Sequence, residues 1–280
     1  MPVGLACAGA AAYGVTVVIG RELARGGLQP ATALGIRFAV AAAALALLLA
    51  IRGVPRAPWP RALRILALGC IGYAGQSTLF YMSLQRGPAA ASILLFYAYP
   101  ALVCAIGWAV LRERRPARGT WLALALSACG TAVVATASGP IAIQPAAIAF
   151  ALAAALVFAL YVLAGQRLTL GVDAMTTAAW VAAGAALASA CQGAVTHGFG
   201  SPAGDWMLLA AYGLFTAAAF TLMFAALARL GARHTSVVMT LEAVFAVGLA
   251  ALLLGESLGA GQAAGGVAIL AATVVVSRTV

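Results

Sequence analysis

Two short stretches decide how the fold of this chain is to be interpreted: residues 79–86 are LFYMSLQR, and residues 222–229 are LMFAALAR. They lie at an offset of 143 positions, and each ends an apolar run with an arginine. At the same offset other polar residues correspond in pairs: Thr78 and Thr221, Ser92 and Thr235, Glu113 and Glu256. Matches at one fixed offset predict an internal repeat, with residues 1–139 as the first half and 140–280 as the second.

Composition places both halves in a membrane. Of the 280 residues, 65% are hydrophobic and only 8% are charged, whereas a soluble domain has about a quarter of its residues charged. A membrane-spanning helix needs about 20 mainly apolar residues. Apolar runs of this length predict ten spans, at 3–20, 31–51, 63–84, 88–111, 118–138, 146–166, 175–196, 205–228, 234–254 and 260–277. The alternating pattern of a membrane β-barrel is absent. The chain is therefore predicted to be an all-α integral membrane protein that contacts the lipid bilayer.

The arginines predict how these spans are oriented. The net charge is +10, and each of the basic residues is an arginine. With ten spans, twelve arginines fall on the face that holds both termini and three fall on the other face. Because positive residues accumulate on the cytoplasmic side, both termini are expected to be cytoplasmic. The basic charge is thus explained by topology, and no nucleic-acid partner is expected.

Each predicted half has five spans, and five is an odd number. The second half must therefore be inverted in the membrane relative to the first. Inverted repeats are typical of secondary transporters, whose substrate sites lie near the midplane between the halves. The repeat therefore predicts a transporter with a small-molecule substrate.

Several motifs carry a resemblance to a known family. The cues are Gly35-Ile36-Arg37-Phe38, Tyr99-Pro100 with Leu111-Arg112-Glu113-Arg114, and Leu241-Glu242-Ala243-Val244-Phe245 with Leu254-Gly255-Glu256-Ser257-Leu258. The chain resembles the drug/metabolite transporter superfamily and its EamA-type bacterial exporters. The resemblance implies ten helices in two inverted five-helix repeats, alternating access, and export of amino acids or related metabolites across a bacterial inner membrane. In look it is closest to the branch that exports aromatic and other neutral amino acids. The family has a proline where this chain has Ala243, so whether the second half bends like the first is left open.

Glu242 is the principal candidate for a functional charge. It lies near the middle of the ninth span, and ionisable residues at that depth are costly and commonly functional. Two roles are open, a site for a proton or for a substrate ammonium group, beside a structural role as a hydrogen-bonding carboxyl. Arg37 lies only two turns inside the second span. We expect its guanidinium to reach the membrane interface or a helix end, with an anchor for a substrate carboxylate as the alternative.

Aromatic and amide side chains at similar depth predict a cavity for a neutral, partly apolar solute. The candidate cavity residues, with Glu242, are Tyr13, Gln76, Phe80, Tyr99, Tyr161, Trp180, Phe220 and Phe224. Pro100 interrupts helix hydrogen bonding, so Pro100 and Gly75 are predicted hinges. Trp59 is expected to anchor the chain at the membrane interface.

Other functions fit the residues less well. A phosphate-ester exchanger would need deep basic residues, and this chain has no lysine. An enzyme would have to work with two histidines and two aspartates, each pair on opposite faces, and with no catalytic motif. Neither an enzymatic activity nor a metal or cofactor is expected, and the five cysteines are interpreted as packing residues. Export of other organic solutes or drugs, a membrane scaffold, proton coupling and facilitated export remain open, as do a monomer and a weak dimer.

Overall fold

A computed structural model describes residues 2–54, 57–86, 89–113, 115–136, 144–196, 198, 200, 206–254 and 259–278. Within these ranges the chain is helical and has no β-strand. The helices are α1 (Pro2–Arg25), α2 (Pro30–Ile51), α3 (Trp59–Ala67), α4 (Ala74–Leu84), α5 (Ala89–Phe96), α6 (Tyr99–Ala109), α7 (Arg118–Thr136), α8 (Pro145–Leu168), α9 (Ala174–Thr196), α10 (Trp206–Met239), α11 (Leu241–Leu254) and α12 (Ala260–Ser277). A π-helical segment, Leu68–Tyr73, joins α3 to α4.

Six stretches among the described residues are long and apolar enough to cross a membrane. They are Pro2–Gly20, Ala31–Ile51, Trp59–Leu84, Pro145–Leu168, Ala174–Thr196 and Trp206–Met239. Three further helices are also apolar but shorter: Tyr99–Ala109, Leu241–Leu253 and Ala263–Val276. Apolar side chains also cover much of the outer surface, including Leu252 and Ile71, which are 82% and 74% exposed. The protein is a multi-pass membrane protein.

The internal repeat is visible in the helix boundaries and in the packing. Shifted by 143 residues, the bounds of α1 coincide with those of α8, and those of α2 and α7 fall within two residues of α9 and α12. The neighbours exchange accordingly, since α1 packs on α10 and α11 while α8 packs on α4 and on α5 and α6. The pairs α2–α9 and α7–α12 join equivalent helices of the two halves. The two halves therefore share one helix arrangement.

Both halves also contain a helix interrupted at the same place. In the first half α5 ends at Phe96 and α6 begins at Tyr99, with Pro100 in its first turn. In the second half Thr240 separates α10 from α11, and the offset places Thr240 over Tyr97.

The helix of the second half is interrupted without a proline. The Thr240 hydroxyl donates to the carbonyl of Val237 at 2.7 Å, and the Thr240 N–H donates to the same carbonyl at 3.2 Å. The hydroxyl of Ser127 in α7 donates to Thr240 Oγ1 at 3.0 Å. A threonine side chain that competes for backbone groups in this way loosens a helix. The helices of the two halves are therefore interrupted at equivalent positions by different chemistry.

A sharp kink replaces the loop expected between the eighth and ninth spans. Gly231, inside α10, has φ 75° and ψ 169°, a backbone conformation that favours glycine. Gln166 of α8 accepts a hydrogen bond from the Ala232 N–H at 2.6 Å, which satisfies a donor that the kink removes from the helix ladder. The residues after the kink continue towards α11.

The π-helical segment lies where the first half crosses α9. A Cβ on Gly69 would overlap the carbonyl oxygen of Val181, and a Cβ on Gly184 would overlap that of Leu66. These two glycines let the backbones approach closely, as small residues do between membrane helices. The irregularity of this span therefore lies at Leu68–Tyr73, whereas the predicted hinge Gly75 is inside regular α4.

Some predictions fall outside the described residues. These are the boundary between the halves at 139 and 140, Arg56 and Arg114 of the arginine count, and Glu256 with the rest of its motif at 255–258. The predicted third span begins earlier than expected, at Trp59, and the predicted fourth span is divided between α5 and α6.

Candidate functional site

Arg37 lies in the interior, between helices of both halves. Its guanidinium is 8% exposed and donates three hydrogen bonds, to Thr216 Oγ1 at 2.6 Å, Tyr212 Oη at 3.1 Å and Thr16 Oγ1 at 3.4 Å. It also lies 4.5 Å from the ring centroid of Tyr212. The expectation that this side chain reaches the membrane interface was wrong, because hydroxyl groups of α1 and α10 offer it polar partners in the interior.

Next to Arg37 begins a continuous set of aromatic rings, which we call the central cluster: Tyr13, Phe38, Tyr73, Tyr99, Phe158, Tyr161, Phe220 and Phe224. Tyr73 is its hub, with ring centroids of Phe38, Tyr161 and Phe220 at 5.6, 5.6 and 4.8 Å. Because Tyr73 is the last residue of the π-helical segment, the local change of helix pitch sets the direction of its side chain. Helical π segments are frequent at functional sites.

The structure brings most of the predicted cavity residues into this cluster. Tyr13 packs against Phe220 at 6.1 Å, and Tyr161 packs against Phe224 at 6.2 Å. Phe158, from α8, joins Tyr99 to Tyr161 with centroid distances of 4.7 and 5.5 Å.

Tyr99 also joins the two halves directly. Its hydroxyl donates to the carbonyl oxygen of Ser236 at 3.1 Å, from α6 to α10. Phe80 is connected to the cluster through Phe96. The ring centroids of Phe80 and Phe96 are 5.1 Å apart, and those of Phe96 and Tyr99 are 5.5 Å apart. Gln76 is buried on α4, and its side-chain oxygen accepts from Ser77 Oγ at 3.3 Å.

Trp180 is not brought to the cluster. Its ring packs edge-on against Trp59, at a centroid distance of 6.0 Å, and Trp59 is 64% exposed at the beginning of α3. Trp180 therefore lies at the level of a helix end.

Glu242 lies in the first turn of α11, where the helix dipole favours a negative charge. It is half-buried and close enough to Arg37 and to Tyr13, Tyr73 and Tyr99 to interact with them electrostatically. Arg37 and Glu242 are both described, and they form no ion pair with each other. The site thus holds one positive and one negative side chain, close together but unpaired, beside a cluster of aromatic rings.

In this conformation the centre is closely packed. A cavity of about 10 Å³ lies among Tyr99, Phe158, Thr235 and Met239, which is room for about one water molecule. The hydroxyls of Thr235 and Tyr161 are buried without a hydrogen-bond partner. Among the described residues, no group of three or more His, Cys, Asp or Glu side chains is arranged to hold a metal ion.

A second contact between the halves lies at one end of the helices. The carboxylate of Glu113, after α6, is 3.1 Å from Arg233 Nη2, after the Gly231 kink of α10. The Glu113 N–H donates to the carbonyl of Gly107 at 3.0 Å, and a Cβ on Gly107 would lie only 2.8 Å from the carboxylate. The chain folds back here at Arg112, which has φ 56°.

Sequence reasoning missed three members of the central cluster, Phe38, Tyr73 and Phe158. A signal was available for two of them. Tyr73 precedes Gln76 by three residues and Phe158 precedes Tyr161 by three, so each extends a helix face that had been recognised. Phe38 gave no such signal, because none of the predicted cavity residues lies on its helix.

The comparison with known protein families also divides the chain into two halves. The model of the EamA-like transporter family matches the chain twice, over residues 1–136 and 145–278. This chain belongs to the EamA-like transporter family. A search of curated proteins gave no match. A solved crystal structure, whose description names no activity, aligns with a TM-score of 0.86 and 19% sequence identity, over 99% of this chain and 96% of the other. At this identity the likeness establishes the fold alone for this EamA-like transporter.

Proposed function

We propose that this EamA-like transporter exports amino acids, aromatic and other neutral ones, and related small metabolites across the bacterial inner membrane. The observation that carries the proposal is Glu242, a half-buried carboxyl of the second half that lies close to Arg37 and to Tyr13, Tyr73 and Tyr99 of the first half. Aromatic walls with one acidic group suit a solute that has an apolar side chain and an ammonium group. Other small organic solutes are the alternative within the same family.

The repeat supports an inverted arrangement of two five-helix halves with ten crossings. Equivalent helices pair across the two halves, as α2 does with α9 and α7 with α12. An odd number of crossings in each half inverts the second relative to the first. Twelve arginines on one face against three on the other support cytoplasmic termini.

This arrangement supports alternating access as the mechanism, because inverted repeats are typical of transporters that work in this way. The cavity among Tyr99, Phe158, Thr235 and Met239 has room for about one water molecule, and we expect an amino acid to enter only after the halves separate on one side. On the proposed topology, the pair of Glu113 and Arg233 connects the halves on the cytoplasmic side. This ion pair must break whenever the site opens to the cytoplasm. The interrupted helices at Tyr97 and Thr240 lie beside the site and supply bending points.

The test is efflux from proteoliposomes loaded with single radiolabelled amino acids. We expect efflux of phenylalanine, tyrosine and leucine well above that of empty liposomes, and little efflux of a sugar phosphate. A chain that moves no amino acid but moves another organic solute would overturn the substrate assignment and leave transport standing.

Glu242→Gln then decides the role of the carboxyl. Loss of a pH dependence in the variant, with transport retained, indicates proton coupling. A rise in KM for amino acids without a change in pH dependence indicates contact with the ammonium group. Unchanged transport indicates a structural carboxyl. Asp173→Asn is the matched control, because Asp173 accepts from the N–H groups of Met175 and Thr176 at the start of α9, and asparagine caps helices equally well.

A further inference from the structure

Among the residues that the structure describes, the buried Arg37 guanidinium has neutral partners only. Its three hydrogen bonds go to the hydroxyls of Thr16, Tyr212 and Thr216, and its cation–π contacts are with Phe38 and Tyr212. Burying a charge is costly unless an opposite charge pairs with it. Three hydroxyls hold the group in position, and no acidic side chain within the described part of the chain forms an ion pair with it.

The guanidinium also has donors to spare. Arginine carries five N–H donors, and three of them are engaged here. The single hydrogen on Nε is used by Thr216, so each of Nη1 and Nη2 keeps one N–H. Two N–H groups on a planar fork match the two oxygens of a carboxylate.

The opposite charge lies nearby but out of contact. Glu242 interacts electrostatically with Arg37, and both charges interact with the same two phenols, Tyr13 and Tyr73. Tyr13 and Tyr73 therefore lie within reach of both charges. Arg37 comes from the first half of the chain and Glu242 from the second, so the two charges change their separation when the halves move.

From this geometry we infer that Arg37 binds the carboxylate of a zwitterionic substrate while Glu242 accepts a hydrogen bond from its ammonium group. The inference rests on the proposed function and narrows its substrate class to α-amino acids with both charges free. A zwitterion compensates both buried charges at once. An amine without a carboxylate, or an acid without an amine, leaves one of them unpaired, which lowers its affinity. The aromatic cluster then contacts the side chain.

The wild-type protein gives the first test. Phenylalanine, phenylalanine amide, phenethylamine and 3-phenylpropanoate share one ring and differ only in charge. We expect phenylalanine to compete with radiolabelled phenylalanine in proteoliposomes about 10- to 100-fold better than any of the other three, the size expected for losing a hydrogen bond to a charged group. Equal competition by phenylalanine amide would overturn the carboxylate site without requiring any variant.

Paired variants assign each charge to its residue. Arg37→Gln should raise the KM for phenylalanine about 10- to 100-fold and remove the preference for phenylalanine over phenethylamine. Glu242→Gln should instead remove the preference over 3-phenylpropanoate. Arg37→Lys, which keeps the charge but not the fork, should give an intermediate KM. Arg86→Gln is the matched control, because Arg86 is exposed and donates to the Met82 carbonyl.

The outcomes separate the two proposals. If the wild type transports phenylalanine and Arg37→Gln keeps both the KM and the preference over phenethylamine, the inference fails while amino-acid export stands. If the wild type transports no amino acid, the proposed function fails first. Size-exclusion profiles in detergent identify a variant that does not fold, and the competition series on the wild type then decides the question.

Discussion

Arg37 and Trp180 occupy the same position in the two halves of the chain, related by the offset of 143, and their surroundings differ completely. Arg37 is buried among three hydroxyl groups between α1, α2 and α10. Trp180 packs on an exposed tryptophan at the start of α3. The offset likewise places Glu242 over Tyr99. The shared residues build the helix arrangement, and the residues that differ supply the charges of the candidate site.

The largest expected effect in this comparison of the halves is on stability, when a glycine is replaced by the alanine that the other half has at the same position. Gly184 and Gly35 both correspond to an alanine in the other half, Ala41 and Ala178. A methyl group at Gly184 would overlap the Leu66 carbonyl, whereas one at Gly35 would meet no atom within 4 Å. We expect Gly184→Ala to destabilise the protein by about 1–3 kcal/mol and Gly35→Ala to be neutral or stabilising by up to about 1 kcal/mol. Thermal melting in detergent measures both, and equal melting temperatures would show that the halves tolerate alanine alike.

The two interrupted helices give the next prediction. Thr240→Val removes the hydroxyl that bonds to Val237 and Ser127, and we expect a loss of about 1 kcal/mol in stability with slower hydrogen exchange near Leu241 as the helix becomes regular. Ser127→Ala removes only the bond between helices and should leave the exchange near Leu241 unchanged. If Thr240→Val left hydrogen exchange as it is in the wild type, the interruption would not depend on the hydroxyl.

The smallest effect is expected at the ion pair. Because the side chains of Arg233 and Glu113 are 16% and 31% exposed, their coupling should be about 0.2–1 kcal/mol. A double-mutant cycle of Glu113→Gln and Arg233→Gln, measured by thermal melting, gives this value. The single variants should also transport faster if opening to the cytoplasm limits the rate. A coupling energy near zero with unchanged transport would show that this ion pair does not hold the halves together.

The features that sequence alone predicted well depend on patterns that repeat. Apolar runs and the 143-residue offset predicted apolar helices and two related halves, because these patterns recur along the whole chain, and the resemblance of short motifs predicted the family. Tyr13, Phe220 and Tyr161 were predicted to share a region and do so. The depth of each of these residues in the membrane could be estimated from its position along its predicted span.

Other features depend on single residues in three-dimensional context. Arg37 was expected at the interface because depth along one helix says nothing about hydroxyl groups on neighbouring helices. Trp180 was expected beside the other cavity residues, and its ring packs on Trp59 instead. The kink at Gly231 and the π-helical segment ending at Tyr73 each rest on backbone geometry that no local residue pattern specifies, so neither was predicted.

The placement of the tryptophans has an optical consequence. Trp59, Trp108, Trp121 and Trp206 are 44–64% exposed, and Trp180 packs on Trp59. The central cluster consists of tyrosine and phenylalanine instead. Intrinsic tryptophan emission of this protein therefore reports on its lipid-facing and interfacial surface and on the contact of Trp59 with Trp180, and not on the central cluster. A single tryptophan introduced at Phe158, in a background with the native ones replaced by phenylalanine, would place the fluorophore inside the central cluster, between Tyr99 and Tyr161.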